Sequence, residues 1–162
     1  MRSIMSFVRS RGVALGILLW VFPFWVGDLS AFDFSRYRPR MMKELIRDYP
    51  SRTGLVITRD VPIRSKVTYT AEFRDLPDDN RRLIAGWAES VNVPGVPQAF
   101  QRELKVTEAG IEYWVAVQEV LVPSMKAELQ PWEEIELFII YIGQVDGRHL
   151  FLVNEFGHES PH

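Results

Sequence analysis

The amino-acid sequence predicts a mainly β domain with two or three helices. Three patterns lead to this prediction: a segment with the two-residue period of a strand, two pairs of apolar segments separated by short turns, and the turn dipeptide Asp146-Gly147. The chain has 162 residues, of which 47% are hydrophobic. A chain of this length can form one domain with its own core.

The first half of the chain is expected to hold one strand and two helices. Residues 32–66 read as a lead-in arm with a short helix from Met41 to Tyr49, which Pro50 ends. Residues 67–74 alternate apolar and polar side chains, as a half-buried strand does. Residues 78–91 carry apolar side chains at helical spacing, with Asp78 available as the N-cap.

The second half is expected to contain two hairpins. Residues 102–107 and 111–117 form the first, around Gly110, and residues 135–145 and 148–156 form the second, around Asp146-Gly147. Between the hairpins, apolar side chains at helical spacing predict a short helix that begins near Pro123 and stops at Pro131. The β-rich domain is therefore expected to span residues 67–157, with a polar tail at 158–162.

This order of elements resembles the OB-fold, a small antiparallel β-barrel, if residues 78–91 are an insertion after the first strand. The resemblance concerns the fold alone and carries no functional residues. The alternative is a cystatin-like α+β sheet on which the helix containing Trp87 packs. Residues 139–142 are apolar at every position, which suits a central strand covered on both faces in either architecture.

The N-terminus has the pattern of a secretory signal. Arg2, Arg9 and Arg11 precede the uncharged run from Val13 to Val26. This run of 14 residues is closer to a signal-peptide core than to a membrane span, which needs roughly 20 residues. We expect cleavage near Ala31; an uncleaved membrane anchor is the alternative. The domain is expected to be exported, to the periplasm or the cell surface. If the run is an anchor, the basic cluster from Arg36 to Arg47 could instead hold the domain on the cytoplasmic side.

Charge is distributed unevenly along the chain. Residues 32–66 contain nine Lys/Arg and four Asp/Glu, whereas residues 101–162 contain four and eleven. The basic half could bind anionic lipid or another anionic polymer, through Arg36, Arg38, Arg40, Lys43 and Arg47. Nucleic acid is not an expected partner, because the formal net charge is −2 and phosphate binding needs a concentrated basic surface.

No catalytic, metal or cofactor site is predicted. Without cysteine, the chain has neither disulfides nor thiol chemistry. Residues 158–162 match the H-E-x-x-H zinc pattern, but Pro161 prevents the helix that the motif needs. The enzymatic alternative is a membrane-tethered hydrolase that uses Glu134, Glu136 or His149.

Aromatic side chains supply the best candidates for ligand contact: Tyr113, Trp114, Trp132 and Tyr141. Tyr113 and Trp114 are neighbours on a strand, so one ring must face outward unless both faces are covered. The sequence thus predicts an exported, non-catalytic binding or accessory domain whose partner is another envelope protein. Exposed aromatics that bind a glycan or a small amphiphile at the mouth of the barrel are the alternative binding mode.

Overall fold

The computed structural model describes residues 32–158. The predicted signal segment, residues 1–31, and most of the H-E-x-x-H pattern lie outside the described residues. The described elements follow one another in this order: a 3₁₀ turn (Phe34–Arg36), β1 (Arg38–Pro39), α1 (Met42–Asp48), β2 (Leu55–Asp75), α2 (Asp78–Ser90), α3 (Val96–Ala99), β3 (Phe100–Glu108), β4 (Ile111–Gln118), α4 (Val122–Glu128), β5 (Glu134–Val145) and β6 (Arg148–His158).

The strands form one six-stranded mixed sheet, which confirms the prediction of a mainly β chain. Strand β2 pairs with both β3 and β5, so hydrogen bonds run in a ring through β2, β3, β4, β6 and β5 back to β2. The sheet is mixed, because β4 pairs with β6, and β1 with β2, in parallel, while the other pairs are antiparallel.

Strand β2 is much longer than predicted. It begins at Leu55 rather than Val67, so the expected boundary between arm and domain at residue 66 falls inside a strand. The register shifts between Ile57 and Val61, and this irregularity breaks the alternation by which the sequence would have revealed the strand. Because of its length, β2 pairs with β5 from Leu55 to Thr68 and with β3 from Thr68 onward.

The sheet is covered on both faces by two separate apolar clusters. One cluster lies inside the ring and joins alternate residues of the strands to side chains of α1 and α4. The other packs Leu83, Ile84 and Trp87 of α2 against the opposite face of β4, β5 and β6. Consequently Ile139 and Tyr141 belong to the first cluster while Ile142 belongs to the second, as expected for a central strand.

The helices differ from the prediction in number and in their ends. There are four α-helices in the described residues, because Val96–Ala99 forms a short helix with Pro97 in its first turn instead of a loop. The N-cap of α2 is Pro77, with no side-chain cap, so the assignment of Asp78 as N-cap was wrong. Asp78 is the first helical residue.

A buried carboxylate attaches α1 to the ring of strands. Glu108, at the end of β3, accepts hydrogen bonds from the backbone N–H groups of Met42 at 2.8 Å and Lys43 at 3.1 Å. The hydroxyl of Ser65 on β2 donates to the same carboxylate. Two of the N–H groups that the start of a helix leaves unpaired are therefore satisfied by a side chain from another strand. Helix α1 thus closes the end of the ring that carries the β3–β4 turn.

Replacing Glu108 with Ala should lower the free energy of unfolding by about 2–4 kcal/mol, because two backbone N–H groups and the Ser65 hydroxyl would be left buried without an acceptor. Urea denaturation followed by circular dichroism measures this loss. Glu112→Ala is the matched control: Glu112 is exposed and pairs with Lys105 at 3.2 Å, so its loss should cost less than about 1 kcal/mol. Equal effects of the two substitutions would contradict the role of Glu108.

Candidate binding surface

The loop between α4 and β5 contains an exposed tryptophan, Trp132. The Trp132 side chain is 73% exposed, although its backbone is fixed: its N–H donates to the carbonyl of Tyr69 at 2.7 Å. The carbonyl of Glu133 accepts from the N–H of Tyr69 at 2.8 Å. The loop is therefore fastened to β2 on both sides of Tyr69, and the indole ring projects from a rigid backbone.

The backbone around this loop is strained. Trp132 has φ = 72°, and Ala71, in the bulge of β2 between Tyr69 and Phe73, has φ = 63°. The left-handed region costs a residue with a Cβ about 1–2 kcal/mol. The bulge is held by Thr70, whose hydroxyl donates to the carbonyl of Lys105 at 2.7 Å. Strained residues of this kind often mark functional positions.

A second exposed apolar side chain is adjacent to α4 in the chain. Val120 is 75% exposed. It precedes α4, and Trp132 follows the same helix. We call Val120 and Trp132 together the α4-end surface.

The other three predicted aromatic residues do not join Trp132. The Trp114 ring is covered by the Arg74 guanidinium, 3.9 Å from the ring centroid, and Arg74 is itself bound to Glu103 at 2.6 Å. Tyr113 is half-buried against the inner cluster, where burial and the nearby charge of Glu108 raise its pKa. Tyr141 is fully buried, and burial raises its pKa to about 12. Of the four candidate aromatic residues, Trp132 is exposed, Tyr113 and Trp114 are half-buried, and Tyr141 is buried.

Of the three residues of the hydrolase alternative, His149 lies apart from Glu134 and Glu136. Glu136 lies 3.8 Å from Arg64, and Glu134 is exposed at the start of β5. His149 lies at the other end of the β5–β6 pair, opposite Gln144. Residues 32–158 contain no group of three or more His, Cys, Asp or Glu side chains that could hold a metal ion. Nor does any helix in this range have the length and apolarity that crossing a bilayer requires.

The five predicted basic residues lie on the arm and around α1. We call this set the basic arm. Arg40 pairs with Asp48 at 2.6 Å, and Arg36 approaches Asp60 at 3.9 Å. Among the described residues, the remaining three form no ion pair: Arg38, Lys43 and Arg47.

Several residues that build the candidate surfaces were missed by sequence reasoning. Glu108 continues the inward alternation of Leu104 and Val106, so its burial could have been noticed from the period of two. The left-handed conformations of Ala71 and Trp132 had no sequence signal, because neither residue type favours that region.

His149 contacts Tyr141, the residue that joins the β5–β6 hairpin to Tyr49 at the end of α1. Its Nδ1 lies 3.0 Å from the Tyr141 hydroxyl, and its Nε2 is buried with no hydrogen-bond partner among the described residues. The Tyr49 ring packs on Tyr141 with a centroid distance of 4.7 Å. Burial lowers the pKa of His149 below its usual value of 6.5.

No protein-family model matches the chain, and no curated protein matches it. The function must therefore be inferred from the surfaces described above.

The lowered pKa of His149 predicts a loss of stability in acid. The unfolded chain binds the histidine proton at a higher pH than the folded chain does. The contribution of neutral His149 to stability is therefore complete above about pH 6.5 and decreases as the pH falls below that value. One proton changes the free energy of unfolding by at most about 1.4 kcal/mol per pH unit. Urea denaturation from about pH 7.5 down to about pH 5, a range that brackets the usual histidine pKa, gives the free energy of unfolding at each pH. This free energy should depend less steeply on pH in His149→Gln than in the wild type. An unchanged slope in that variant would refute the assignment.

Proposed function

We propose that this domain is a non-catalytic binding module that docks on another protein through the α4-end surface. The observation that carries the proposal is Trp132, whose ring is 73% exposed on a backbone fixed by its hydrogen bond to Tyr69. Tryptophan is enriched among the few residues that dominate protein–protein binding energy. A rigid anchor also loses little conformational entropy when it binds.

The order of the strands supports assigning the ring to the OB-fold. The pairing order β2-β3-β4-β6-β5, the parallel pair β4–β6 and the position of α4 between β4 and β5 agree with that topology. Helix α2 and α3 then form the insertion between the first two strands of the ring. An open cystatin-like sheet would lack the pairing of β2 with β5 that closes the ring.

The face that OB-folds use for oligonucleotides and oligosaccharides is occupied here. That face corresponds to the outward sides of β3 and β4. On it, Arg74 covers Trp114 and binds Glu103, and Ala116 packs into the cluster beneath α2. Because these side chains are already engaged in contacts within the domain, we favour a protein partner at the α4-end surface over a glycan on this face.

The proposed partner is another protein of the cell envelope. This part of the proposal depends on the N-terminal sequence alone, in which arginines precede an uncharged run of 14 residues. The mature N-terminus, measured by mass spectrometry on protein from the fractionated native host, tests it. A full-length protein recovered only from the soluble cytosol would contradict the proposed location.

A photo-crosslinking residue in place of Trp132 should capture one partner in the native host. The purified partner should then bind Trp132→Asn about 30-fold more weakly than the wild type, which corresponds to roughly 2 kcal/mol for an anchor residue. Because asparagine tolerates the left-handed region better than tryptophan does, the variant should be at least as stable as the wild type in thermal denaturation.

The matched control is Leu55, an exposed apolar residue opposite Val145, at the far end of the β2–β5 pair from Trp132. The crosslinker placed there should not capture the partner, and Leu55→Ala should bind within about twofold of the wild type, since residues outside the interface contribute little. The proposal fails if Trp132→Asn binds the partner normally. It also fails if that variant unfolds, because Trp132 would then be a structural residue.

A further inference from the structure

The basic arm presents positive charge that the fold leaves unneutralised. Beyond Arg38, Lys43 and Arg47, two further cations of the same half, Arg52 and Arg59, form no ion pair among residues 32–158. The charge imbalance of residues 32–66 is thus a property of the folded surface and not only of the sequence.

Several carboxylates of the acidic half are committed to groups outside the basic arm. Glu103 binds Arg74 at 2.6 Å, and Glu112 binds Lys105 at 3.2 Å. Arg64 of the basic half lies 3.8 Å from Glu136 of the acidic half.

The arm is held in place on the sheet. Strand β1 pairs in parallel with β2, with Arg38 opposite Ile63, and the N–H of Arg40 donates to the carbonyl of Arg64 at 3.0 Å. The cations therefore have fixed positions along the outside of β2 and on α1. Lys43 and Arg47 are four residues apart on α1 and lie on the same side of that helix.

An exposed aromatic ring lies among these cations. Phe34 is 49% exposed and packs edge-on against Phe138, with 4.8 Å between the ring centroids. Basic side chains together with an apolar ring are characteristic of surfaces that bind at the level of lipid headgroups.

We propose that the basic arm binds an anionic lipid surface. The cations are spread along the arm instead of converging on one pocket, which suits a layer of mobile headgroups. The groove beside the arm, of about 440 Å³, also contains Glu44 and Glu136, which disfavours a single small anion. Bound in this way, the domain could meet its protein partner through the α4-end surface.

Vesicles of phosphatidylcholine, with and without phosphatidylglycerol, test the proposal on the full chain. Because the N-terminal run could itself bind both kinds of vesicle, the local measurement is hydrogen exchange of the backbone amides of residues 34–47. These amides should be protected only by the anionic vesicles. The triple variant Arg38→Gln, Lys43→Gln, Arg47→Gln should lose this protection and bind anionic vesicles roughly a hundredfold more weakly, at about fivefold per cation.

The control variant removes the same charge elsewhere, by Arg82→Gln, Lys126→Gln and Arg148→Gln. It should keep the protection of residues 34–47 and partition within about threefold of the wild type, since charges far from the contact are screened. Circular dichroism establishes that both variants fold. Three results would overturn the proposal: equal losses in the two variants, no loss in the arm variant, or binding to polyglutamate as tight as binding to anionic vesicles.

Discussion

The structure depends on one buried carboxylate. Burying a charge is costly unless hydrogen bonds replace its hydration. Glu108 receives such bonds from two backbone N–H groups of α1 and from Ser65 of β2. The position of α1 is consequently fixed relative to both β2 and β3. Because Met42 and Leu45 enter the inner cluster from this helix, the same contact closes one end of the core and orients the basic arm.

Strand β2 has a comparable role for Trp132. It contributes to both sides of the ring closure, because it pairs with β5 as far as Thr68 and with β3 from Thr68 onward, and its bulge at Ala71 interrupts the pairing with β3. The backbone of Tyr69, just before the bulge, exchanges hydrogen bonds with Trp132 and Glu133. The position of Trp132 is therefore fixed by β2, whose first half also pairs with β1 of the basic arm. One strand positions both candidate surfaces.

The elements that were predicted correctly are those in which apolar residues recur with a clear helical or strand period. The two hairpins, α2 and the helix near Pro123 lie where the spacing of apolar residues placed them. The first half of β2 could not be predicted, because Arg59, Asp60 and Pro62 interrupt its alternation at a bulge. At the candidate binding surface, the sequence had named Trp132 as an aromatic residue suited to ligand contact. Its separation from Tyr113, Trp114 and Tyr141 depends on which face of each strand meets the ring interior, and on Arg74 reaching across from β2.

The strain at Trp132 distinguishes a functional role from a structural one. A left-handed loop position is most cheaply filled by glycine or asparagine, and a tryptophan there costs about 1–2 kcal/mol. A core role could compensate that cost by burial, at roughly 25 cal/mol per Å² of apolar area. The indole of Trp132 is mostly in water, so the described structure supplies little of this compensation. Under the proposed function, a partner that covers the ring supplies this burial in the complex.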